Sequence, residues 1–186
     1  ICPQWSVQTP SFAIGSLKSH IKNKDVEVEQ FDLNIRTSLY TKEKNIQKFW
    51  DWGNDTPWNS EANFKDELLP NFKDLWHEYI DKLAEYDVVA FTTYISNIVT
   101  TDYIARYLKQ KNPKIQIWYG GPYSWYAESA GLVENDHYRE FVDVACSENE
   151  GELIIKDLVD KYYEEGHYEN VGGVWRWDKI CLLYTS

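Results

Sequence analysis

The chain has 186 residues, enough for one domain with a sizeable core, and its 43% hydrophobic and 26% charged residues are those of a globular protein. A formal net charge of −11 excludes a phosphate-backbone partner, which needs clustered Lys and Arg, and disfavours an anionic membrane surface. No apolar run approaches the roughly 18 residues of a spanning helix, so neither nucleic acid nor membrane is an expected partner, and the expected compartment is the cytoplasm.

In chain order, "ICPQWSV" reads as a first strand already under way at residue 1, followed by Gln8, Thr9 and Pro10. Phe12, Ile14, Leu17 and Ile21 then fall at helical spacing. "VEVEQF", residues 26–31, alternates cleanly and is expected to be a second strand, ending at Asp32, Leu33 and Asn34. Residues 35–70 carry no clear period. "FWDWGNDTPWNSEANF" mixes turn formers with Trp50, Trp52 and Trp58, and reads as a surface insertion with its own aromatic cluster. A loop of this length inside a domain is often functional, so a lid over a ligand is the alternative.

Phe72, Leu75, Trp76, Tyr79, Ile80 and Leu83 recur at one helical face. "YDVVAFTTY" is a nearly continuous apolar strand of the kind buried on both faces of a parallel sheet. Thr100 or Thr101 is the expected cap of a helix with Tyr103, Ile104, Tyr107 and Leu108 on its apolar face. "KIQIWY" is the fourth strand and stops at Gly120, Gly121 and Pro122. "WYAESAGLV" is weakly helical, and "FVDVAC" is a fifth strand. Leu153, Ile154, Leu158, Val159 and Tyr162 mark a last helix that Gly166 ends, and "GGVWRW" is a sixth, edge strand.

This alternation predicts an α/β fold: an open, mostly parallel, doubly wound sheet, flavodoxin-like or Rossmann-like, in the order 2-1-3-4-5. Residues 1–179 form one expected domain, cut within its first strand and interrupted by the insertion at about 35–70. "CLLYTS" resembles translated adapter sequence, so residues 180–186 are set apart as a tail, and the chain is expected to be a piece of a longer one.

Ligands of such sheets bind beyond the carboxyl ends of the strands. The informative residues therefore follow each strand: Gln8 to Pro10, Asp32 to Asn34, Thr92 to Asn97, Gly120 to Tyr123, and Ser147 to Glu150. These sets hold no dinucleotide G-x-G-x-x-G and no P-loop. The chain has no G-x-S-x-G elbow and no metal or redox spacing among Cys2, Cys146 and Cys181. Cys146 reads as a core thiol, and His20, His77, His137 and His167 as surface or loop residues. What remains is a rim of Thr, Ser, Asn and a Gly-Gly-Pro. Backbone without side chains lets a ligand come close, and neighbouring aromatics suit a large, flat, largely apolar cofactor.

Four short stretches give this rim a resemblance. Thr93-Tyr94-Ile95-Ser96-Asn97 is similar to an S-x-Y-x-W-N turn, and Gly120-Gly121-Pro122 to G-G-P. Ser147-Glu148-Asn149-Glu150 is similar to G-E-G-E, and Gly173-Val174-Trp175-Arg176 to G-[LV]-x-[YWF]-R. Together with "TPSFAIGSLKSHI", they resemble the cobalamin-binding domain at the N-terminus of many radical S-adenosylmethionine enzymes, over about residues 3–177. Ser147 and Asn149 stand where that family favours glycine, and Ser96 where it commonly has Trp.

The resemblance implies a corrinoid at the carboxyl edge of the sheet. Its nucleotide tail would pass Gly120, Gly121, Pro122 and Tyr123 and the turn of Ser147, Glu148, Asn149 and Glu150. Its corrin would face Thr93, Tyr94, Ile95, Ser96 and Asn97, with Thr9 and Pro10 at the first strand's end. It implies base-off cobalamin with no axial His, because no D-x-H-x-x-G is present. The chain holds no C-x-x-x-C-x-x-C, so the iron–sulfur cluster and S-adenosylmethionine belong to a C-terminal barrel of the parent protein, which would be an intramolecular partner. By this reading the chain is not catalytic alone. Two other readings stand beside it: a degenerate module of the same fold that serves as an interaction surface, and the nucleotide-sugar half of a glycosyltransferase-like enzyme.

Overall fold

The structure, a computed structural model, describes residues 7, 11–23, 25–50, 56–124, 136–146, 150–168 and 171–176. It is an α/β fold with an open, mostly parallel four-stranded sheet flanked by helices, in the Rossmann-like manner expected. The strands are β1 (Val88–Thr92), β2 (Gln116–Gly120), β3 (Val144–Cys146) and β4 (Val174–Arg176), and they lie in that order across the sheet. These are the expected third to sixth strands, so the 3-4-5 part of the expected order is present. β2 and β3 run parallel, with Trp118 opposite Val144 and Tyr119 opposite Ala145. β4 returns antiparallel, pairing Val144 with Arg176 and Cys146 with Val174.

Among the described residues the expected second strand pairs with no other. Residues 26–31 keep their alternation, with Val26 and Val28 half-buried and Glu27 and Glu29 exposed, but form no ladder with a described strand. Alternation fixes sidedness; a strand also needs a neighbouring backbone to bond. The expected neighbour, residues 1–7, lies outside the described residues except for Val7, as do the weakly helical run at 125–133 and the tail at 180–186. β1 also differs from expectation, because Ala90 is exposed. An apolar run does not distinguish a strand covered on both faces from an outer one, and β1 is outermost among the described strands.

The chain divides into two compact units. The first contains residues 32–89 and 93–116. Its helices are α1, α2 and so on in the numbering used here, starting in the other unit with α1 (Phe12–His20). Within the first unit, α2 (Leu33–Glu43) and a short 3-10 turn (Gln47–Trp50) lead to α3 (Thr56–Asn59) and α4 (Glu61–Asn63). A single wide turn (Phe64–Leu68), closed by the Leu69 N–H on the Phe64 carbonyl, runs into α5 (Leu69–Leu83). After the strand comes α6 (Ile98–Lys111).

The described residues of 35–70 are therefore mostly helical and not an irregular insertion, while Trp52 lies outside the described residues. Trp58 is fully buried, and its ring packs 5.7 Å from Phe72 while its Nε1 donates to the Phe49 carbonyl. Phe64 stacks on Trp76 at 5.3 Å, and Phe72 stacks on Trp76 at 5.5 Å. The helix escaped sequence reading because α2 is inverted: Thr37, Ser38 and Thr41 face inward while Leu39 is exposed. The Thr41 hydroxyl donates to the Ser38 carbonyl at 2.7 Å, so part of this polar face is satisfied within the helix itself. Asp32, expected to end a strand, instead caps α2 by accepting from the Ile35 N–H. Along α5 and α6, His77 meets the Tyr103 hydroxyl at 2.9 Å, Asn112 Nδ2 donates to the Ala84 carbonyl, and Lys111 pairs with Asp81.

The second unit contains residues 11–31, 90–92 and 117–186. Its helices are α1, α7 (Asp136–Arg139) and α8 (Gly151–Glu165). α8 buries Ile154, Ile155, Leu158 and Val159 and ends at Gly166 in the left-handed region, φ 74°, as expected. Leu153, expected on the buried face, is 54% exposed, because it falls one step off the stripe. Trp118 of β2 packs edge-on against Tyr162 of α8 and against Tyr168. α1 lies on α8, with the Ser16 hydroxyl donating to Glu152 and Leu17 against Gly151.

Candidate functional site

The carboxyl end of β2 is the part of the rim that the second unit holds. β2 enters through Ile117, whose N–H donates to Asp143 Oδ2 at 2.7 Å while its carbonyl accepts from the Asp143 N–H at 2.9 Å. This double clasp fixes β2 against the approach to β3. Tyr119, one residue before the strand's end, is buried and meets the rings of Phe91, Tyr138 and Phe141. Its anchoring leaves Gly120 as the last residue of the strand, half-buried.

Gly120 and Gly121 are glycines for different reasons. Gly121 has φ 94°, a conformation that a side chain makes costly. Its carbonyl accepts from the Ser124 N–H at 3.0 Å, and residues 122–124 turn into a helix, with Pro122 and Tyr123 half-buried and Ser124 buried. Gly120 has no such φ. Among the described residues, a Cβ built on it would meet Cys146 Sγ at 3.9 Å and the Phe91 carbonyl at 4.0 Å, which is ordinary van der Waals contact. Neither its backbone conformation nor its packing against the described residues therefore demands a glycine at 120. The sequence singled out the Gly-Gly pair but not Phe91 and Cys146. They are its neighbours because β1 and β3 flank β2 in the sheet.

Cys146 is a core thiol, as expected. Burial pushes its pKa up to about 12, so it stays protonated and unreactive at neutral pH. Of the turn that follows, Glu150 is exposed and precedes the first turn of α8, with its carbonyl accepting from the N–H groups of Leu153 and Ile154. Ser147, Glu148 and Asn149 lie outside the described residues, as do Thr9 and Pro10.

The first unit holds Thr93, Tyr94, Ile95, Ser96 and Asn97. Asn97 organises this turn by bonding Tyr94 twice: its Oδ1 accepts from the Tyr94 N–H at 2.8 Å, and its own N–H donates to the Tyr94 carbonyl at 3.0 Å. Thr93, Ser96 and Asn97 are buried, and burial raises the pKa of Tyr94. The apex is Ile95, 73% exposed. Asn97 is also the residue from which α6 starts, which corrects the expectation that Thr100 or Thr101 would cap it; both are buried within the helix. The β-turn pulls the helix start forward by bringing the chain around before Ile98. The turn thus presents an isoleucine to solvent on a frame of buried polar groups.

His20, His77 and His167 are engaged locally. His20 Nδ1 lies 2.9 Å from the Ser16 carbonyl, His77 meets Tyr103, and His167 sits beside Glu165. Among the described residues no cluster of three His, Cys, Asp or Glu is placed to hold a metal ion, and no helix is long and apolar enough to cross a membrane. Comparison with protein families, with curated proteins and with solved structures finds no match to this chain. The described strand ends at Thr92, Gly120 and Cys146 present backbone and neutral side chains.

Proposed function

We propose that the chain is a cobalamin-binding module of a radical S-adenosylmethionine enzyme, taking the nucleotide tail of a base-off corrinoid over the carboxyl end of β2. The observation that carries this reading is Gly120. Its backbone would accept a methyl group against Phe91 and Cys146, so its bareness is explained by a body outside the chain more readily than by the chain's own packing. The Gly-Gly-Pro lies at the carboxyl end of a strand that lies between two others and runs parallel to β3, where α/β sheets receive ligands. The motif resemblance at four stretches favours a corrinoid over other large cofactors.

The residues present fit such a group in kind: no side chain rises from 120, the backbone turns away at Gly121, and the flanking strand ends are neutral. When bound, the corrinoid supplies methyl-transfer or radical chemistry, and the chain's residues hold and orient it. The iron–sulfur cluster and S-adenosylmethionine belong, in this proposal, to a separate barrel.

The test is retention. The chain is mixed with hydroxocobalamin and desalted. Protein-bound corrinoid with shifted visible bands is the expected result. Colourless protein that is folded by circular dichroism overturns the proposal and favours a module that keeps the fold without a ligand. Retention of a nucleotide sugar in its place overturns it in favour of a glycosyltransferase-like site.

A further inference from the structure

We draw no further inference here: the strongest candidate, the buried first turn of α6 with a Thr100 hydroxyl that has no hydrogen-bond partner among the described residues, belongs to the candidate site already described, and nothing in the structure shows where that hydroxyl is aimed.

Discussion

The two units differ at a strand end more than in their interiors. In the first, rings converge on one residue: Tyr40, Phe49, Trp58 and Trp76 each lie 5.5–6.0 Å from Phe72, and Phe64 stacks on Trp76 at 5.3 Å. The second unit packs rings too, with Tyr119 meeting Phe91, Tyr138 and Phe141, and α8 buries four branched aliphatics. What sets it apart is that β2 ends at Gly120 and a second glycine follows. Such an end costs stability, since glycine loses more conformational entropy on folding than any other residue. The contrast therefore directs the tests to that strand end.

The contrast breaks most visibly in the first unit. Trp58→Ala removes a fully buried ring and strands the Phe49 carbonyl, and is expected to cost about 3–5 kcal/mol, read by urea unfolding. A loss below about 1 kcal/mol would mean that residues 35–70 are appended to the unit and not part of its interior. In the second unit, Gly121→Val forces a β-branched residue to φ 94° and should cost about 1–3 kcal/mol. An unchanged unfolding midpoint would show that this turn relaxes freely. Smaller still, Gly166→Ala places a Cβ in the left-handed cap of α8 and is expected to cost about 1 kcal/mol. At the low end, Leu153→Ser should change stability by no more than about 0.5 kcal/mol, because the side chain already faces solvent.

Cys146 gives the same contrast a pH signature. Its thiol is held protonated in the fold, with a pKa of about 12 against an ordinary 9.0. The native state then keeps a proton that the unfolded chain releases, so this contribution is intact below about pH 9 and is lost as pH rises toward 12. In a Cys2→Ser, Cys181→Ser background, the thiol should resist a disulfide reagent at pH 8 until the protein is unfolded. Rapid reaction of the folded protein would show that the floor beside Gly120 is open to reagent.

Much of the second unit was legible in the residues. The apolar run "KIQIWY", the apolar stop at Cys146, the α8 stripe apart from Leu153, and the Gly166 cap each rest on local pattern, and each was found where local pattern placed it. The first unit was legible from Phe72 onward, where the stripe has helical period. It was opaque before that. α2 buries hydroxyls and exposes Leu39, so its hydrophobic period is erased, and Trp50 and Trp58 sit on short helical pieces too brief to show a period. Residues 26–31 failed in the opposite sense: the pattern was present and a ladder with a described strand was not. At the site, sequence located the Gly-Gly turn and the Tyr94–Asn97 turn. It did not separate the glycine that φ requires from the glycine that no described residue requires, because that distinction depends on Phe91 and Cys146 across the sheet.

Gly120 is accordingly where the account is most exposed. Wild-type protein, Gly120→Ala and Gly120→Val are titrated with hydroxocobalamin under the same conditions, each first matched for folding by circular dichroism and thermal midpoint. The account predicts wild-type binding with a shifted corrinoid spectrum, an alanine variant that folds as well as wild type yet binds at least about tenfold more weakly, a loss of about 1.4 kcal/mol, and a valine variant that binds weaker still. Equal corrinoid affinity across the three folded proteins, or no binding by any of them, would contradict it.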